Sequence, residues 1–264
     1  MSVLNSHWLG DWRHLVEKPV SVEGVESAVE KGSVSSFAFF FMLASSGVIA
    51  TFGLLANSAA VIIGAMIVAP LMNPIISMSF GIMAGRRPLI WRSLLTIVLG
   101  TLITITMAFL LSEAIGWKLA GSELVARMRP SLLDLGVAVA AGAAAAFAYT
   151  RPGVSSALAG IAIAVALVPP LCTVGIALAL GHKAGTDVGL AIETVNARGP
   201  LLLYLTNIFG IVLAASLVFF CQYFRRRMSA IRRASQRLVR TWVTPSTFIG
   251  QFIKPVAFLT QVPK

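Results

Sequence analysis

Charged residues are scarce in this sequence. Lys, Arg, Asp and Glu make up 12% of its 264 residues, about half the roughly 25% usual for a soluble domain. So few charges cannot cover a water-facing surface, and most of the exterior must face lipid. Acids are scarcest, 10 against 21 Lys and Arg. The two cysteines, Cys172 and Cys221, lie inside apolar runs with no metal-ligand spacing, which leaves no disulfide framework and no thiolate zinc site. His7, His14 and His182 fall outside those runs and form no triad or metal set. Phosphate loops, dinucleotide fingerprints and nucleophile–base arrangements are absent as well. The expectation is a protein that is not an enzyme and needs neither cofactor nor metal. The first 34 residues mix acids, bases and Trp, unlike the basic start and apolar block of a signal peptide.

Apolar residues make up 57% of the chain, with a mean hydropathy of +0.87. Six apolar stretches approach the ~20 residues that a ~30 Å hydrocarbon core demands of a helix. They run over about 36–55, 58–84, 94–115, 132–149, 155–180 and 200–224. The fold class expected is all-α: a polytopic membrane protein of six transmembrane helices. Residues 1–34 form an N-terminal interfacial or cytoplasmic segment, 35–224 the membrane domain, and 225–264 a basic cytoplasmic tail.

Lys and Arg collect on the cytoplasmic side of membrane proteins. With both termini inside, Arg86, Arg87, Arg92, Arg151 and the C-terminal arginines share that side, which suits the cell (inner) membrane. Met228, Ile231, Leu238 and Trp242 stripe one face of the tail, and Pro245 ends it. Arg225, Arg226, Arg227, Arg232, Arg233, Arg237 and Arg240 surround that stripe, the pattern of a helix lying on anionic lipid headgroups. No base-stacking platform accompanies the basic run, so nucleic acid is not expected as a partner. Near the N-terminus, Trp8, Trp12 and Leu15 form one apolar stripe and Val22, Val25 and Val29 another. Either can lie at the headgroups or pack on the protein itself.

The two halves resemble each other. At a displacement of 96 residues Gly64 meets Gly160, Leu71 meets Leu167, Pro74 meets Pro170 and Ser77 meets Thr173. Gly47 and Gly53 repeat the spacing of Gly136 and Gly142, and Leu95–Gly100 repeats as Leu205–Gly210. Three spans per copy is an odd number, so the second copy must be upside down. Two inverted three-helix repeats with proline-broken helices two and five are a recurrent transporter plan.

Proline removes a helix hydrogen bond and crowds the carbonyl four residues before it. Pro70 and Pro74 in span two, and Pro169 and Pro170 in span five, would free the carbonyls of Met66, Pro70, Val165 and Ala166. Bare carbonyls in hydrocarbon persist only where protein, water or an ion satisfies them. Asn73, Ser77 and Thr173 sit within a turn of the breaks, and Asn207 lies deep in span six. Asn73, Pro74, Ser77, Pro169, Pro170, Thr173 and Asn207 are therefore the candidate solute- or ion-binding residues. The alternative reading is a pair of kinks capped by Ser and Thr hydroxyls. Glu113 and Asp134 lie at span ends, where solvation or pairing with Lys118, Arg127 or Arg129 is the expectation. Ala138–Ala148 with Gly142 reads as a helix-packing seam, and Met66, Met72, Met78 and Met83 as core.

GAMIVAPLMNPI (Gly64–Ile75), AIAVALVPPL (Ala162–Leu171) and LLLYLTNIFGIVLA (Leu201–Ala214) resemble the bacterial and archaeal membrane proteins grouped as domain of unknown function 389, over 36–224. Many of those proteins carry a soluble domain where this chain has a short segment. The resemblance implies the membrane fold and brings no activity with it. Two functions stay open: a small-solute or ion transporter or channel, expected as a homo-oligomer, or a scaffold that binds lipid or another membrane protein.

Overall fold

The computed structural model describes residues 20–116, 121–151, 167–183 and 197–243, with side chains in the last stretch as far as Tyr223. Among these residues every regular element is an α-helix: α1 (Val22–Gly32), α2 (Phe37–Leu55), α3 (Ala59–Val68), α4 (Met72–Ala84), α5 (Arg87–Ile115), α6 (Ser122–Ala126), α7 (Leu132–Tyr149), α8 (Val168–Lys183) and α9 (Arg198–Val243). The chain divides after Phe219 into a helical bundle and a C-terminal unit, Phe220–Lys264.

Among the described residues, four helices are long and apolar enough to cross a bilayer: α2, α5, α7 and Arg198–Tyr223 of α9. The α3–α4 pair, bent by 54°, makes up to five. The sixth expected span, 155–180, is described only from Leu167 onward, and α8 alone is short at 16 residues. α5 begins at Arg87, seven residues before the expected start of span three, with Pro88 in its first turn, where no intrahelical N–H is required.

α5 shows why this is a bundle for lipid. It buries Ser93, Thr96, Ile97, Gly100, Thr104, Ala108 and Ser112 and exposes Trp91, Leu95, Val98, Leu102 and Leu110. Small and hydroxyl residues face inward and large apolar ones outward, the reverse of a water-soluble helix and the pattern that lets membrane helices approach closely. α7 follows suit, turning Ala138, Ala141, Gly142, Ala145 and Ala146 inward while Leu132 and Leu133 are more than 80% exposed. At Gly142 an added Cβ would lie 2.6 Å from the Ile211 backbone of α9, so the alanine tract is the expected seam. Met66 and Met72 lie in the core, with Met78 and Met83 packed against it.

Local sequence sets the helix ends. Ser36 caps α2 by accepting from the Phe39 N–H, and Ser131 with Asp134 forms a capping box at α7. Asp134 thus serves the cap of α7, Arg127 pairs with Glu123 at 2.9 Å, and Lys118 lies outside the described residues. Asn57 takes a left-handed turn (φ 51°), a conformation Asn tolerates, between α2 and α3.

Loop contacts define two ends of the bundle. At one, the Val20 N–H donates to the Thr150 carbonyl (2.9 Å), and Arg86 meets Glu30 (2.7 Å) and Glu26 (3.7 Å) of α1. At the other, Asn57 Oδ1 accepts from the Ser122 hydroxyl and the Glu123 N–H, and Gly199 abuts Met128. Val25 and Val29 of α1 are buried against the bundle, so that stripe packs on the protein and not on headgroups. Trp8, Trp12 and Leu15 lie outside the described residues. α9 runs on to Val243, two residues short of Pro245.

Candidate functional site at the break in the second span

α3 ends at Val68 because Pro70 follows. The residue before a proline is pushed out of the helical region, and Ala69 is extended at ψ 122°. The Ala65 carbonyl, which continued helix would have bonded to Ala69, accepts instead from the Ser46 hydroxyl of α2 at 2.7 Å. Pro74 has no N–H to offer the Pro70 carbonyl, and the Asn73 N–H fills in at 3.4 Å. The expectation of a bare Pro70 carbonyl is corrected accordingly. Pro74 occupies the third position of α4, and Pro169 and Pro170 the second and third of α8. First-turn N–H groups have no intrahelical acceptor, so these three prolines start helices and do not break them. Among the described residues only Pro70 stands in a break, and Val165 and Ala166 lie outside them.

Asn73 and Ser77 are one turn apart on α4. Asn73 is exposed, and its Oδ1 accepts from the Tyr149 hydroxyl at the end of α7 (3.1 Å). Ser77 is buried, with its hydroxyl 2.7 Å from the Val29 carbonyl of α1 and 2.9 Å from the Asn73 carbonyl. Gly32 closes over both: a Cβ there would lie 3.0 Å from Ser77 Oγ and 3.4 Å from Asn73 Cβ.

A second group lies on α8, which packs against α2, α3 and α5. Pro169 and Pro170 are buried, and the Thr173 hydroxyl donates to the Pro169 carbonyl at 2.9 Å. Cys172 is buried with its thiol 3.5 Å from the Gly47 carbonyl, whereas Cys221 is exposed. Gly175 admits the α5 backbone so closely that a Cβ would sit 2.5 Å from the Ile105 carbonyl oxygen. Asn207 is buried on α9, one turn past Tyr204, whose hydroxyl shares a 2.6 Å hydrogen bond with Thr101 of α5.

The structure thus gathers Asn73, Pro74 and Ser77 with Tyr149 and α1, and sets Pro169, Pro170 and Thr173 on the α8 side. One turn of α5 touches the break, α2 and α9. Leu71 of the break lies 3.3 Å from the Cβ position of Gly100, Tyr204 bonds Thr101, and Gly47 packs on Thr104. Sequence reasoning missed this turn. Its signal is Gly-Thr-x-x-Thr inside an apolar span, Gly100 for close approach and Thr101 for a hydrogen bond between helices.

Taken together, the inside-out helices and the break define an all-helical, multi-pass membrane protein. The chain belongs to the family described as domain of unknown function (DUF389), whose model matches residues 66–213. It is similar to an uncharacterized protein of Methanocaldococcus jannaschii, 26% identical over 216 residues. That match takes in 80% of this chain and 63% of the relative, so the chain spans less than two thirds of the relative's length. No solved structure matches the chain.

Proposed function

We propose that this protein is a six-span transporter or channel for a small solute or ion, built as two inverted three-helix repeats. Its site would lie between the second and fifth spans, at Asn73, Pro74, Ser77, Pro169, Pro170, Thr173 and Asn207. One correspondence carries the reading. In the first triplet Gly100 of α5 packs on Leu43 of α2, and in the second Gly210 of α9 packs on Ala138 of α7. Leu43 to Ala138 is a displacement of 95 residues, and so are Ser36 to Ser131, the two helix caps, and Gly47 to Gly142. The glycine match is therefore Gly47 with Gly142, one pairing over from the spacing read in the sequence.

The middle helices agree. α4 starts at Met72 and α8 at Val168, the same 96 residues that separate Ser77 from Thr173. Those two hydroxyls also reach equivalent carbonyls, Asn73 and Pro169, four residues back. Direction favours inversion, because α2 runs from the Thr150 end of the bundle toward the Asn57 end and α7 runs back. In such folds a site forms where discontinuous helices of the two repeats meet.

In this reading the protein sits in the inner membrane with both termini cytoplasmic, acts as a homo-oligomer and performs no covalent chemistry. Its C-terminal arginines hold anionic lipid. A specific observation keeps the scaffold reading as the alternative: Ser46 and Asn73 satisfy carbonyls at the break from within the protein, so the bend can serve shape alone.

The test is flux. Purified protein in liposomes is assayed for salt conductance in planar bilayers and for solute-driven swelling with neutral solutes. The native chain and Cys221→Ala should both pass at least one solute, and Asn73→Leu should abolish passage while still inserting and folding, with a loss of about 1 kcal/mol for its bond to Tyr149. Native protein that passes nothing above empty vesicles moves the scaffold reading ahead.

A further inference from the structure

We infer that α1 is a detachable lid over the first two turns of α4, so that access to Ser77 depends on whether α1 is docked. This rests on the transport reading for its purpose, but not for its geometry. The last turn of α1 lies on the start of α4, just past the break: Val29 offers its carbonyl to Ser77, and Gly32 is close enough that a side chain there would press on Ser77 Oγ and Asn73 Cβ. A larger residue at position 32 would hold the lid off the site, and glycine lets it close.

The attachment is of a kind that reverses. Among the described residues, two side-chain hydrogen bonds fasten α1 and its C-cap to the spans, Ser77 to the Val29 carbonyl and Thr96 to the Ser33 carbonyl at 3.0 Å. Each hydroxyl has one proton and a second acceptor four residues back in its own helix, Asn73 at 2.9 Å and Arg92 at 3.0 Å. When α1 leaves, neither hydroxyl is stranded, so the large penalty of an unsatisfied buried polar group does not arise. Apolar anchorage is slight, with Val25 and Val29 the buried apolar residues of the helix. The remaining clasp is Arg86 with Glu26 and Glu30, whose side chains are 41–47% exposed and therefore open to screening by salt. The Val20–Thr150 backbone bond tethers the near end of α1 to the end of α7.

The experiment uses the full chain in liposomes, in a Cys172→Ala/Cys221→Ala background carrying Ser77→Cys as reporter. The rate of maleimide labelling is measured at low and high salt, with and without Glu26→Gln/Glu30→Gln. Labelling should be slow at low salt and about fivefold faster in the Gln pair, the factor expected of weak exposed ion pairs. High salt should accelerate the parent and add nothing to the Gln pair. A Leu43→Cys reporter, buried between α2 and α5, should stay unlabelled throughout. Equal rates at position 77 in every condition overturn the lid, as does labelling of position 43 in parallel, which would mean general loosening. Flux is scored separately: salt-released labelling with no flux for any solute leaves the lid standing and removes the transport reading.

Discussion

The Tyr149 hydroxyl donates to Asn73 Oδ1 across 3.1 Å, tying the last turn of α7 to the first turn of α4. The polar residue nearest the break is thus oriented by a helix from the other half of the chain. Tyr149→Phe removes this bond while keeping the ring. Thermal unfolding in detergent should show a loss of about 1 kcal/mol, and Asn73→Leu in the Tyr149→Phe background should cost less than Asn73→Leu alone. Equal costs in both backgrounds would show that the two side chains are not coupled.

Glycines give a matched pair of outcomes. At Gly142 a methyl group would meet the Ile211 backbone at 2.6 Å, whereas at Gly64 there is nothing within 4 Å. Gly142→Ala should destabilise the protein by about 1–3 kcal/mol through overpacking. Gly64→Ala should leave it unchanged or raise its stability by up to about 1 kcal/mol through helix propensity. Melting curves of the two variants should separate in opposite directions.

Topology can be read with reporter fusions. Fusions after Gly85 and Phe224 should report the cytoplasm, and one after Gly185 the opposite side. Disagreement between the Gly85 and Phe224 fusions would remove the six-span plan.

The tail makes a separate expectation. Each Lys or Arg near an anionic surface contributes about 1 kcal/mol, fading over a Debye length. A peptide covering residues 225–244 should therefore bind anionic vesicles, turn helical there and come off at high salt. Equal binding to neutral vesicles would leave the apolar stripe as the cause.

Much of the fold was legible because lipid imposes a simple rule on sequence. Span lengths of α2 and α7 could be read to within a residue or so from hydropathy. Proline positions were visible, but not their consequences: Pro70 follows an extended residue, while Pro74, Pro169 and Pro170 sit in first turns, and only the helix starts distinguish the two. The docking of α1 was hidden for another reason. Val25 and Val29 have the same spacing whether they face a headgroup or α4, and the deciding partners, Ser77 and Thr96, lie 48 and 63 residues from the carbonyls they bond. The meeting of helices on Gly100–Thr104 depends on contacts of that long range too.

Taken as one crossing, the bent α3–α4 pair would also set how the protein fits its bilayer. Ten and thirteen helical residues, at 1.5 Å each, would span about 35 Å in line. At 54° their ends stand about 31 Å apart, close to the ~30 Å of a typical hydrocarbon core. A straight helix meets a thicker or thinner membrane only by tilting or by deforming the lipid around it, at a cost for each ångström of mismatch. This pair is bent, and straightening it completely would lengthen it by about 4 Å. Bilayer thickness would then act directly on the angle at Pro70, making acyl-chain length a physical input to the part of the molecule where Asn73 and Ser77 lie.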